Sequence, residues 1–144
     1  MLNIFARLAP LVLLAVLAFL AATTRLFSPS PVIIGTQILA AGLVLWARAS
    51  FPAGGFRFDA APGAARIVRG GPYRFLRHPI YSAALLFTWA AVLSHRSATT
   101  LLLGLLVTGV LALRVLVEEQ LLRARYPEYA AYARTTRALV PFLL

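Results

Sequence analysis

The chain has no cysteine and no lysine, and only four of its residues are acidic: Asp59, Glu118, Glu119 and Glu128. Without cysteine there is no disulfide, no thiolate nucleophile and no thiolate metal site. His78 and His95 stand alone with no carboxylate cluster beside them, so no metal-ligand spacing is present. Charge of either sign is scarce. Charged residues make up 12% of the chain against the roughly 25% of a soluble domain, while 61% are hydrophobic and the mean hydropathy is +0.85. This excludes an ordinary soluble domain and indicates a membrane protein, and 144 residues allow one domain, 1–144.

All 14 basic residues are arginine, giving a net charge of +10. A basic chain can bind nucleic acid through one charged face. Here the arginines lie between apolar segments, so membrane lipids with anionic headgroups are the partners they fit, and nucleic acid is not.

The first apolar window runs from Leu8 to Thr24 between Arg7 and Arg25; no small-x-small cleavage site follows it, so it reads as a crossing rather than a signal peptide. Ser28-Pro29-Ser30-Pro31 turns the chain into a second window from Val32 to Ala47. Residues 51–71 form a Gly/Pro/Arg-rich connection without periodicity. A third window spans Pro79 to Ser94, and Ser94-His95-Arg96-Ser97 links it to a fourth from Ala98 to Leu113 that continues toward Val117. Each is close to the ~20 residues needed to cross hydrocarbon. The expected fold is therefore an all-α integral membrane helical bundle with four transmembrane helices, at 8–24, 32–50, 79–94 and 98–126. Pro127 should break the last of these. The tail, 128–144, carries a C-terminal interfacial amphipathic helix with Tyr129, Tyr132 and Ala133 on one side.

Four crossings put the N-terminus, the middle connection and the tail on one side, with twelve of the arginines; Arg25 and Arg96 lie on the other. The positive-inside rule then makes both termini cytoplasmic in a multi-pass protein, in the cell inner membrane if the source is bacterial.

Gly, Pro, Tyr, Arg and His crowd into the stretch from Gly70 to Tyr81. Pro79 suits the first position of a helix, and His78 before it is pushed out of the helical region. Backbone N–H groups near Ile80, Tyr81 and Ser82, with Arg74, Arg77 and His78 beside them, make a potential anion site. The plainer reading is that the arginines only anchor a helix at the headgroups. The adjacent glutamates Glu118 and Glu119 also have two readings, because Arg114–Glu118 and Glu119–Arg123 both have the i,i+4 spacing of a helical ion pair. Position favours more than that. At 1.5 Å per residue the third helix rises ~25 Å from Pro79 and the fourth descends ~30 Å to Glu118. The short link keeps the two together, so the arginine-rich start and the glutamate pair face each other at one membrane surface.

A ligand that wants both signs of charge is S-adenosylmethionine, with a carboxylate, an ammonium, a sulfonium and ribose hydroxyls. Arg74, Arg77 or His78 can take the carboxylate, Glu118 or Glu119 the ammonium or ribose, and the tyrosines with the apolar helix faces the adenine. A nicotinamide dinucleotide phosphate suits the arginines but not two glutamates beside its phosphates.

Gly71-Pro72-Tyr73-Arg74, Arg77-His78-Pro79-x-Tyr81, and then Glu118-Glu119, Tyr129, Tyr132, Arg137 and Pro141 resemble the isoprenylcysteine carboxyl methyltransferase family, a pattern shared with phospholipid methyltransferase relatives. The resemblance covers Ile67 to Pro141, about half the chain; Ala83 stands where members often have glycine. It implies an integral membrane enzyme that uses S-adenosylmethionine, with cofactor contacts from Arg77, His78, Tyr81, Glu118 and Glu119, and with Tyr73, Arg74 and Pro79 in the same stretch. It makes Arg137 a candidate for holding a substrate anion or polar head, and His78 a candidate proton acceptor. The implied acceptor is a lipophilic small molecule or lipid whose nucleophile is a carboxylate, thiol, amine or hydroxyl. Two other classes stay open: an NADPH-dependent membrane reductase, since a similar Arg-His-Pro-x-Tyr stretch occurs in sterol reductases, and a non-enzymatic membrane subunit. Oligomeric state is not legible.

Overall fold

The computed structural model describes residues 2–51 and 67–139, with side chains from residue 8 onward. Pro141, the Arg7 side chain, and Arg57, Asp59 and Arg66 of the middle connection lie outside the described residues. Five α-helices follow in order: α1 (Leu2–Ala22), α2 (Pro31–Ala49), α3 (Pro79–His95), α4 (Ala98–Arg125) and α5 (Tyr129–Thr135), with a 3₁₀ turn at Gly71–Arg74. α1 begins ahead of the apolar window and takes in the position of Arg7; it ends at Ala22, where Thr24 adopts a positive φ of 56°.

Local chemistry accounts for the other boundaries. Pro31 starts α2 behind an extended Ser30, and Pro79 starts α3 behind a non-helical His78. Ser97 and Thr100 form a reciprocal capping box at the head of α4. α4 stops at Arg125, and Tyr126 is extended because Pro127 follows it.

By length and composition, two helices can cross a membrane unaided, Pro31–Ala49 and Ala98–Arg125; the apolar stretches Leu8–Ala22 and Pro79–His95 are shorter. α3 and α4 form the central pair, with α2 packed on α3 and α1 on α4. Arg96, at φ 36°, reverses the chain between α3 and α4 with only Ser97 before the next helix. Val16 and Leu20 of α1, Ala91 of α3, and Val107 and Leu111 of α4 make the shared core. Lipid tails are as apolar as leucine, so close backbone approach must replace the hydrophobic drive, and small residues sit where the helices touch. α2 buries Ala40 and Ala47, and α3 buries Ala83, Ala90 and Ala91. Outward-facing Ile38, Leu39, Leu45, Leu102 and Leu105 are left for lipid. Polar ties are few: the Trp89 indole donates to Thr108 Oγ1 at 3.0 Å across α3 and α4, and Gln37 Nε2 donates to the Leu26 carbonyl at 2.7 Å.

Gly104 sets the α3–α4 distance. A Cβ there would meet Val92 Cγ2 at 2.9 Å and the Trp89 ring at 3.7 Å. Gly104→Val should therefore destabilise the protein in detergent by about 1–3 kcal/mol through overpacking, and Val92→Ala in the same chain should recover part of the loss. A double-mutant cycle by reversible unfolding reads this; strictly additive effects would show that the two positions do not share the contact.

Candidate active site

The site forms where the start of α3, the end of α4 and the tail meet. Gly71 brings the chain there at a φ of +54°, tight against Ser50 and Trp46 at the end of α2, so any side chain at 71 would be both strained and blocked. Beyond the 3₁₀ turn, residues 75–78 run parallel to the tail. Arg137 N–H donates to the Phe75 carbonyl at 3.0 Å, Arg77 N–H to the Arg137 carbonyl at 2.7 Å and His78 N–H to the Ala138 carbonyl at 3.1 Å. The Ser82 hydroxyl donates to the Leu139 carbonyl. This corrects the expected open helix start. The N–H groups of Tyr81 and Ser82 are taken by the His78 carbonyl at 3.1 and 3.0 Å, and tail carbonyls lie alongside, so neither of these two N–H groups is free for an anion.

What converges instead is a paired-charge cluster. Glu119 Oε1 accepts from Arg77 Nε at 2.6 Å and from the Tyr129 hydroxyl at 2.8 Å, and lies 3.3 Å from His78 Nε2. Its Oε2 has Arg123 Nη2 at 3.3 Å. Glu118 Oε1 accepts from the Tyr81 hydroxyl at 2.5 Å and from Arg114 Nε at 3.1 Å, while its Oε2 lies 3.5 Å from His78 Nδ1. Arg114 Nε also donates to the Tyr81 oxygen at 2.5 Å. The imidazole is thus held between two carboxylates, one on each ring nitrogen, with its ring stacked on Tyr81 at 5.7 Å. Arg77 Nη1 donates to the carbonyls of Ala133 and Thr136 at 3.0 and 2.5 Å, which ties the end of α5 to the cluster.

Of the residues singled out from the sequence, Arg77, His78, Tyr81, Glu118 and Glu119 come together, and Pro79 is buried at the head of α3 beside them. Tyr73, Arg74 and Arg137 do not join them. Tyr73 is buried, and its carbonyl accepts from the Tyr132 hydroxyl at 2.7 Å. Arg74 is exposed and turns with Arg69 into a separate open cleft of about 400 Å³. Arg137 contributes backbone to the ladder while its side chain is exposed. The tyrosines of α5 also turn inward: Tyr129 and Tyr132 pack with Tyr126 against Ile67 and Leu122 instead of facing the membrane–water boundary. Arg114 was visible only as a helical partner of Glu118, yet it is 2% exposed and completes the Tyr81–Glu118 group. Its signal was an arginine one turn before the glutamates, inside an otherwise apolar helix.

Burial alone would lower the pKa of His78, but its hydrogen bonds to Glu118 and Glu119 outweigh that and raise it above the ordinary 6.5. When protonated, the imidazole can donate to both carboxylates at once, and it then has no lone pair left to accept a proton. Burial pushes Tyr132 up to about 12, and burial with the Glu119 contact pushes Tyr129 higher still, so both remain hydroxyl donors. Because the folded-state pKa of His78 is raised, its stabilisation is complete below about pH 6.5. It is lost as pH climbs through the folded value. The melting temperature in detergent should therefore fall as pH rises above about 6.5, and His78→Gln should flatten that slope. An identical slope in the variant would show that His78 is neutral in the folded protein.

A cobalt-zinc-cadmium resistance protein of Cupriavidus metallidurans is 33% identical to this chain over 78 residues, 54% of this chain and 36% of that protein. The match therefore spans about a third of that relative's length. No solved structure gives a significant match. Residues 31–129, from the start of α2 to the start of α5, match the family described as phospholipid methyltransferase. That span contains the whole charge cluster. The chain belongs to the phospholipid methyltransferase family.

Proposed function

We propose that the protein transfers methyl groups from S-adenosylmethionine to a lipophilic membrane substrate, in the manner of isoprenylcysteine carboxyl methyltransferases. The observation that carries this reading is the convergence of Arg77, His78 and Tyr81 with Glu118 and Glu119 at the ends of α3 and α4. The donor set fits the cofactor. Each glutamate has one oxygen fixed by short bonds at 2.5–2.8 Å and a second, Oε2, whose nearest described partners are at 3.3 and 3.5 Å. Those two outer oxygens can accept from an ammonium or from ribose hydroxyls, while Arg77, and His78 when protonated, offer charge of the sign a carboxylate needs. When bound, the cofactor supplies an electrophilic methyl group on a sulfonium.

The chain's own part is alignment and exclusion of water. Arg114 and the Tyr81 hydroxyl fix Glu118; Arg77, His78 and Tyr129 fix Glu119; neither carboxylate has to reorganise when a ligand arrives. Arg137, exposed on the ladder beside Leu76, is the proposed holder of the acceptor's anion or polar head. In this reading α1 and α3 also cross, giving four crossings with both termini and the site on the cytoplasmic side. The cofactor then enters from the cytoplasm and the acceptor laterally from the bilayer between outward-facing leucines.

Purified protein in detergent should bind labelled S-adenosylmethionine in the micromolar range. Glu118→Gln and Glu119→Gln should each weaken that binding by at least about tenfold, equivalent to about 1.4 kcal/mol. Because both carboxylates also hold the helix ends together, retention of a cooperative melt must accompany each affinity. S-adenosylmethionine should raise the melting temperature and NADPH should not. Unchanged affinity in two folded variants, or stabilisation by NADPH alone, would overturn the assignment.

A further inference from the structure

The cleft of about 400 Å³ between the 3₁₀ turn and α5 is lined by Arg69, Arg74, Ala131, Tyr132, Thr135 and Thr136. It lies apart from the glutamate cluster, since none of the six side chains bonds to His78, Glu118 or Glu119. No carboxylate lines it, and neither arginine forms an ion pair among the described residues. Glu118 and Glu119 are committed to Arg77, Arg114 and Arg123.

Both guanidinium groups are placed by aromatic rings rather than by acids. Arg69 Cζ lies 5.6 Å from the Tyr132 ring centre, and Arg74 Cζ lies 6.0 Å from that of Phe75. A cation held over a ring face keeps its N–H edges for another partner. The Tyr132 ring is itself anchored: it is buried and its hydroxyl donates to the Tyr73 carbonyl at 2.7 Å. Thr135 and Thr136 donate their hydroxyl protons to the Tyr132 carbonyl at 3.0 and 2.8 Å, so the donors facing the cleft are the two guanidiniums.

We propose that this cleft is a binding site for a phosphate group, with Arg69 and Arg74 as its two forks. A carboxylate has two oxygens and can pair side by side, oxygen for N–H, with one guanidinium fork. A phosphate ester presents two or three, arranged so that two forks can engage it together. The volume also admits more than a bare carboxylate. The phosphate comes either from a phospholipid headgroup at the membrane surface or from a soluble phosphate ester. The site does not depend on methyl transfer, and its test is separable from that of the cofactor.

The full chain in detergent is titrated with inorganic phosphate, and separately reconstituted in phosphatidylcholine vesicles with and without phosphatidylglycerol, with thermal stability and phosphate affinity as readouts. Three proteins are compared: wild type, Arg69→Gln/Arg74→Gln, and Arg125→Gln/Arg134→Gln, which removes the same charge from exposed helix positions. Wild type and the Arg125/Arg134 control should respond alike, and the Arg69/Arg74 variant should lose at least about tenfold in affinity, about 1.4 kcal/mol, or the whole stabilising shift. A response to inorganic phosphate identifies a soluble ester site, and a response confined to phosphatidylglycerol identifies a headgroup site; either supports the proposal. Equal responses in all three proteins, or none in wild type, would overturn it. S-adenosylmethionine affinity is measured in parallel. If the Arg69/Arg74 variant loses cofactor binding while its phosphate response is intact, the cleft belongs to the cofactor and the proposal fails.

Discussion

The carboxylate of Glu119 is the constraint on which the charged end of the bundle is built. It sits at the end of a helix long and apolar enough to cross a membrane, where an ion without partners is costly. Its partners come from three places in the chain: Arg77 and His78 ahead of α3, Arg123 one turn further along α4, and Tyr129 at the start of α5. Meeting the needs of this single ion therefore fixes three segments relative to one another. Glu118 repeats the logic on the neighbouring face through Tyr81 and Arg114. Toward the other end of the bundle the same helices are held differently, by close contact at Gly104 and one indole-to-hydroxyl bond. The molecule is rigid by packing at one end and by charge pairing at the other.

That division suits the methyl transfer proposed for the site. Group transfer between two bound partners asks little covalent chemistry of the protein and much of its geometry. Side chains already bonded to one another on their inner sides present their outer atoms in fixed positions. The helical ion pairs and the cross-helix pairs, which began as competing explanations of the two glutamates, coexist: Arg114–Glu118 and Glu119–Arg123 form along α4, while His78 spans both carboxylates from α3. A carboxylate has enough lone pairs for both.

What could be read from the chain alone followed short-range rules. Pro31, Pro79 and the Ser97–Thr100 box mark helix starts, Pro127 marks a stop, and the short link at Arg96-Ser97 forces α3 and α4 into antiparallel contact. From that contact alone, the meeting of the α3 start with the glutamates is geometry. The rest depends on where the tail lies, and no local rule supplies it. The parallel bridge between Leu76 and Arg137 joins residues about sixty positions apart and uses only backbone, which leaves no trace in residue type. Once the tail is in place, Tyr129 and Tyr132 are drawn inward, although their composition is that of an interfacial helix. Arg74 illustrates the same gap. It is three residues from Arg77, but the intervening turn sends the two guanidiniums to different sites.

The ladder between residues 75–78 and 137–139 has a consequence for biosynthesis. Translation delivers α3 and its flanking arginine and histidine long before the strand-like segment that grips their backbone. During that interval the N–H groups of Arg77 and His78 lack the carbonyls of Arg137 and Ala138 that later hold them. Registration of the cluster is in this sense a closing event, coupled to arrival of the tail.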